Sequence, residues 1–125
     1  MAWIFDNRKP IYIQLLEGLK LRIISGEMEP GEKFPTVRSL AEEAEINPNT
    51  VQRALTELER EGLIRTDRTK GRFVTDDFEK IEQVRKVIAL NMVQNFKDML
   101  LKMGYDDEEI INLVSQNKKE DNNAE

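Results

Sequence analysis

The stretch Asn47-Pro48-Asn49-Thr50-Val51-Gln52-Arg53-Ala54-Leu55-Thr56-Glu57-Leu58-Glu59-Arg60-Glu61-Gly62 decides the reading of this chain. Asn47 has the side chain of a helix N-cap, Pro48 suits the first helical position because its missing N–H would be unpaired there, and Gly62 is a stop. At about 100° per residue, Val51, Ala54, Leu55 and Leu58 gather on one side. Asn49, Arg53, Thr56 and Arg60 centre almost opposite, with Gln52 beside them and Glu57 and Glu59 on the flanks. Asn and Gln can pair bidentately with adenine and Arg with guanine in the major groove, so the polar face suits a recognition helix. Any surface helix also turns polar residues outward, and this helix alone leaves both readings open.

Working upstream, Thr36 caps a second helix whose apolar stripe is Val37, Leu40, Ala41 and Ala44, with Glu42 and Glu43 facing water. Only Glu45 and Ile46 separate it from Asn47, and so short a connection makes the two helices cross steeply as a helix-turn-helix. Between Pro10 and Ser25, Tyr12, Leu15, Leu16, Leu19 and Ile23 recur at helical spacing and predict a first helix ended by Gly26. Glu29-Pro30-Gly31-Glu32 reads as a tight turn and Lys33-Phe34 as a short extended piece. Downstream, Leu63-Ile64-Arg65-Thr66 and Arg72-Phe73-Val74-Thr75 are β-prone runs around Asp67-Arg68-Thr69-Lys70-Gly71. They predict a hairpin wing with Ile64 and Phe73, or their neighbours, turned inward, and with Arg68, Lys70 and Arg72 projecting toward phosphates or the minor groove. A basic hairpin is also compatible with simple solvation.

The net charge of -5 argues against a polyanionic partner until it is divided along the chain. Residues 1–75 hold 12 Lys/Arg against 12 Asp/Glu, whereas residues 76–125 hold 7 against 12, so the whole excess lies in the tail. From Arg65 to Arg72 there are four cationic residues and only Asp67 in opposition. Phosphate neutralisation acts over a Debye length of roughly 8 Å, so the local patch matters more than the total.

Other functions are narrowed by composition. With no Cys and no His, the chain has no thiol nucleophile, disulfide, thiolate zinc site or His-dependent triad. No carboxylate pair sits in a catalytic setting, and the expectation is no enzyme, no metal and no cofactor. No apolar run approaches the roughly 20 residues of a membrane span. Asp6, Arg8 and Lys9 interrupt the apolar start before a signal-peptide core forms, which predicts a cytoplasmic protein.

The order helix, turn, short strand, helix, helix, hairpin, carried by Pro10-Ile11-Tyr12 with Gln14, Pro30-Gly31-Glu32, Phe34-Pro35-Thr36-Val37-Arg38-Ser39-Leu40-Ala41, Asn47-Pro48-Asn49-Thr50-Val51 with Arg53-Ala54, and Leu58-Glu59-Arg60-Glu61-Gly62-Leu63-Ile64, resembles the GntR family of bacterial regulators and its short YtrA-like branch. The resemblance implies DNA contacts from Arg38 in the second helix, Asn49, Thr50 and Arg53 in the third, and Lys70-Gly71 in the wing. Thr36, Gln52, Arg60, Arg68 and Arg72 complete the candidate DNA-binding set. Two departures stand out. The family's wing usually has a Gly-x-Gly tip followed by Thr or Ser, where this chain has Thr69-Lys70-Gly71-Arg72, and many longer-tailed relatives have arginine at the position of Gln52.

From Asp77 to Met103 a long helix carries Ile81, Val84, Ile88, Met92, Phe96, Met99 and Met103 at spacings of three and four, widened by Val87, Leu90, Val93, Leu100 and Leu101. Gly104 ends it, Asp106 or Asp107 caps a further helix, and Ile110, Ile111, Leu113 and Val114 give that helix an apolar face. Two helices cannot enclose so wide a stripe, which predicts a homodimer through Ile88, Met92, Phe96, Met99, Leu100 and Met103. The alternative is that the tail folds back on its own N-terminal domain. The resemblance implies the dimer as well, without a large effector domain, and no effector is specified.

The expected fold is mainly α with a small β-hairpin (α+β): a winged helix-turn-helix over residues 1–75, a two-helix dimerisation segment over 76–115 and a disordered tail over 116–125. The expected function is a sequence-specific transcriptional repressor binding a palindromic double-stranded operator as a homodimer. The competing reading is a winged-helix protein-interaction module without operator binding, against which the arginines count, since a protein-docking surface more often shows exposed aromatics.

Overall fold

The computed structural model describes residues 3–123, with side chains up to residue 118. Helix α1 spans Ile11–Ile24, α2 Val37–Ala44 and α3 Pro48–Arg60; strands β1, Ile64–Asp67, and β2, Gly71–Val74, follow, then α4, Phe78–Lys102, and α5, Asp107–Asn123. The chain forms two compact units, one ending at Arg85 and the other beginning at Lys86. That boundary falls inside α4, beyond the residue 75 expected. The opening turns of α4 stay with the first unit, where Ile81 is buried and the Lys80 side chain lies along Gly62.

The first unit is closed by one core. Leu15, Leu19 and Ile23 of α1, Leu40 of α2, Val51, Leu55 and Leu58 of α3, and Leu63 and Val74 of the wing are all essentially inaccessible. Each such side chain contributes about 1.5–3 kcal/mol relative to exposure. Both expected caps are formed: Thr36 Oγ1 accepts the Ser39 N–H at 3.0 Å and Asn47 Oδ1 the Asn49 N–H at 2.8 Å. Between these helices Glu45 takes a left-handed conformation (φ 56°, ψ 48°), and the Ile46 N–H returns to the Ala41 carbonyl at 3.2 Å.

In the wing, Ile64 pairs with Val74, Arg65 with Phe73, Thr66 with Arg72 and Asp67 with Gly71. This register narrows the expected inward set to Ile64 and Phe73's neighbour Val74. Ile64 and its partner Val74 are buried, while Phe73 is half-exposed. Side chains alternate across a sheet, so cross-strand partners share a face. Phe73 therefore lies with Arg65, whose guanidinium carbon is 4.9 Å from the ring centre. Lys33-Phe34 is extended as expected and lies on the free side of β2: Lys33 bridges to Phe73, and the Phe34 N–H reaches the Arg72 carbonyl at 2.8 Å.

In the second unit a reciprocal capping box starts α5, with the Glu109 N–H donating to Asp106 Oδ1 at 2.8 Å and the Asp106 N–H to Glu109 Oε1 at 3.0 Å. Of the apolar face expected on this helix, Ile110 is buried and Leu113 half-buried, but Ile111 and Val114 are exposed, because one chain covers only a strip of it. The tail expected to be disordered from residue 116 is instead helical to Asn123. Once a helix is nucleated, each added residue costs little, and even the Asn and Asp residues here are only up to about 0.7 kcal/mol worse than alanine. Ala124 and Glu125 lie outside the described residues.

The N-terminal segment is pinned to α1. Gln14 accepts the Asp6 N–H at 2.7 Å and donates to the carbonyls of Asp6 and Lys9 at 2.8 and 3.1 Å. The Trp3 ring lies under the Arg22 guanidinium at 4.2 Å and against Gly18, where a Cβ would meet the ring at 2.6 Å. Helix propensity favours alanine over a mid-helix glycine by roughly 0.8–1.0 kcal/mol. We expect Gly18→Ala nevertheless to displace the ring, shifting the emission of this single tryptophan to the red without raising the melting temperature. An unchanged spectrum with a higher melting temperature would show that Trp3 does not sit on α1.

Candidate nucleic-acid interface

The packing of α3 decides which of its side chains are available. With Val51, Ala54, Leu55 and Leu58 buried, Asn49, Gln52, Arg53, Thr56 and Arg60 are exposed and Thr50 is half-buried. Thr56 Oγ1 donates to the Gln52 carbonyl at 2.9 Å and accepts from Gln52 Nε2 at 3.3 Å, which lays the glutamine along the helix. Arg60 is bound through Nε and Nη2 to both carboxylate oxygens of Glu57. That hydrogen bond holds Glu57 below its ordinary pKa and Arg60 above its own. Arg60 is thus part of a closed ion pair, unlike Arg53.

Arg53 has no carboxylate partner among the described residues. Its guanidinium carbon stands 3.9 Å from the centre of the Tyr12 ring. Tyr12 was expected in the core stripe of α1, but it is only half-buried. Its place in that stripe concealed this second role, and no signal in the spacing separates the two.

The start of α2 contributes Thr36 and Arg38. Thr36 Oγ1 accepts the capping bond, yet its hydroxyl proton remains a donor. The Arg38 side chain is 90% exposed and touches Glu42 at 3.4 Å, an exposed pair of little strength.

The wing tip is ordered by its one acid. Asp67 Oδ1 accepts the N–H of Thr69 at 2.9 Å, the Thr69 hydroxyl at 2.8 Å and the Lys70 N–H at 3.2 Å. The bonds from Thr69 foremost hold its carboxyl below the ordinary value. Gly71 follows at φ +104°, a conformation that a side chain rarely adopts. Arg68 and Lys70 are exposed, without an ion-pair partner among the described residues. Arg72 differs from the expectation that it projects freely: it is half-buried, and its Nε is enclosed without a hydrogen-bond partner. Its place in β2, between β1 and the extended residues at Lys33-Phe34, draws the stem into the structure. Lys33 adds a cation not foreseen, its Cε 3.7 Å from where a Gly71 Cβ would stand. Only the third strand-like segment brings it to the wing.

No group of three or more acidic residues among the described residues could hold a metal ion, and no described helix is long and apolar enough to cross a membrane.

The profile of the gntR family of bacterial regulatory proteins matches residues 11–74. The HTH-type transcriptional repressor YtrA of Bacillus subtilis is 46% identical over 68 residues, which are 54% of this chain and 52% of that protein. The structure of a GntR family transcriptional regulator from Listeria monocytogenes is similar over 90% of this chain and 98% of its own, with a TM-score of 0.86 and 40% identity. The DNA-binding domain of AraR, solved in complex with operator ORR3, is similar over 60% of this chain and 88% of its own, with a TM-score of 0.51 and 27% identity. With its two-stranded wing behind a helix-turn-helix, the chain belongs to the gntR family of bacterial regulatory proteins, in the YtrA-like branch, a family of DNA-binding transcriptional regulators and not of enzymes.

Proposed function

We propose that the chain is a cytoplasmic repressor that binds a palindromic operator as a homodimer, with residues 1–75 reading DNA and residues 76–115 joining two copies. The observation that carries the reading is the outward face of α3. Arg53 stands there free of any carboxylate among the described residues, with Asn49 and Gln52 on the same exposed surface. Arg53 reads a base edge, Asn49 and Thr50 lie at the helix start where such contacts are made, and Thr36 and Arg38 grip the backbone. Arg68, Lys70 and Lys33 supply sequence-independent attraction from the wing. Both the repressor activity of YtrA and the operator complex of the AraR domain support this reading.

The dimer is supported by the stripe on α4. Met92, Phe96 and Met103 are 67%, 51% and 64% exposed in the single chain, and Met99 lies between them equally bare. Ile88 and Leu100 flank them half-buried. A contiguous apolar surface of this kind marks an association site. A two-fold dimer presents two recognition helices to half-sites about one helical turn, or a multiple of it, apart.

Footprinting on the DNA upstream of the chain's own gene provides the operator for two measurements, and a third uses the protein alone. Arg53→Ala should weaken binding by roughly 1–3 kcal/mol if the side chain reads a base. Wild-type affinity in a gel-shift titration would mean that this face of α3 is not the reading face.

The wing double variant Arg68→Gln with Lys70→Gln should weaken operator and scrambled duplex alike, and lower the slope of log K against log salt by about 0.9 for each phosphate that is no longer neutralised. A weakening confined to the operator, with the slope unchanged, would assign the wing to base reading instead.

In sedimentation the wild type should be a dimer at tens of micromolar (about the range where an obligate dimer persists). Met92→Glu or Phe96→Glu should yield monomers, because each buries an unpaired charge. A monomeric wild type would dispose of the homodimer.

A further inference from the structure

The geometry points to Tyr12 as the residue that positions Arg53 for DNA, which makes the start of α1 a working part of the recognition apparatus. The inference rests on the reading of α3's outward face given above. Of the arginines on the two helices of the helix-turn-helix, Arg38 is paired with Glu42 and Arg60 with Glu57, while Arg53 lies over the Tyr12 ring at 3.9 Å. The difference is chemical. A carboxylate partner occupies the N–H donors of a guanidinium, whereas an aromatic face attracts the cation and leaves the in-plane donors open to a base or a phosphate.

The turn that carries the platform is fixed by the chain around it and by the core. Tyr12 is the second residue of α1, behind Pro10 with its restricted φ, and Gln14 ties this turn to Asp6 and Lys9. Beneath it, Leu15 and Leu19 of α1 share the core with Val51 and Leu55 of α3, so ring and guanidinium stand on helices packed against each other. An arginine that is already directed loses less freedom when it binds. Removing the ring should therefore cost on the order of threefold to tenfold in affinity.

The test is a double-mutant cycle on the footprinted upstream duplex, with Tyr12→Leu, Tyr12→Phe and Arg53→Ala, together with NMR of the Arg53 side chain in the free protein. In the wild type the Arg53 Hδ resonances should be shifted upfield by the ring, and they should stay so in Tyr12→Phe and not in Tyr12→Leu. Tyr12→Phe should bind like wild type. Tyr12→Leu should weaken binding threefold to tenfold, with no further weakening when added to Arg53→Ala. The NMR requires no DNA, so Arg53 resonances lacking the ring shift in the wild type would overturn the positioning role even if Tyr12→Leu failed to fold. Equal weakening in Tyr12→Phe and Tyr12→Leu, or a Tyr12→Leu effect that persists in the Arg53→Ala background, would also overturn it and give Tyr12 a direct role at the DNA. A neutral Arg53→Ala with the ring shift present would sink the reading of α3 and leave the stack intact.

Discussion

The complete burial of Val51, Ala54, Leu55 and Leu58 is the constraint on which the rest of the first unit depends. A helix anchored along one stripe has no freedom to rotate, so its remaining residues are assigned to solvent without further choice. Rotation of α3 by a single residue step would bring Arg53 toward the core and expose a leucine, at a cost in desolvation that no surface interaction could recover. The reading face is thus specified by the apolar residues behind it. The caps at Thr36 and Asn47 set where α2 and α3 begin, and the left-handed Glu45 allows the reversal between them.

Charge is distributed in the first unit by pairing more than by composition. Arg60, Arg38 and Arg65 are each paired with an acid, Arg22 lies over the Trp3 ring beside Glu27, and Lys20 meets Glu61 at 2.7 Å. What remains without an acidic partner among the described residues includes Arg53 on α3 and Arg68 and Lys70 at the wing tip. Residues 1–75 carry no net charge, yet they can present a cationic surface in this way, because acids such as Glu57 and Asp67 are engaged locally. Asp67, the single acid of the wing loop, is likewise turned inward to bind Thr69 and Lys70 backbone groups instead of opposing them.

The second unit has the opposite character. Its helices are well terminated, with a capping box at Asp106 and Glu109 and the Lys97–Asp107 pair at 3.6 Å, yet most of its apolar side chains remain bare. Local rules make a stable turn between two helices, but enclosing an apolar stripe this wide takes more surface than two helices possess.

Signals read along the chain were enough to place the elements of the first unit and their ends, though not the helical end of α5 at Asn123. Pro48 and Gly62 bounded α3, Thr36 and Asn47 named their own capping bonds, and the apolar spacing identified both faces of α3, because these signals act within a few residues of one another. Tertiary structure alone decided the rest, wherever a side chain had two neighbours available. The strand register put Val74 and not Phe73 beside Ile64, a choice made by cross-strand pairing. Lys33 joined the wing through a bridge to Phe73, and the Arg72 stem was enclosed at the same edge. Tyr12, which fits a core stripe by spacing, was assigned to Arg53 by the packing of α1 on α3. Periodicity states which face of an element is apolar, but the partner across the gap belongs to another part of the chain, and only the assembled core brings the two together.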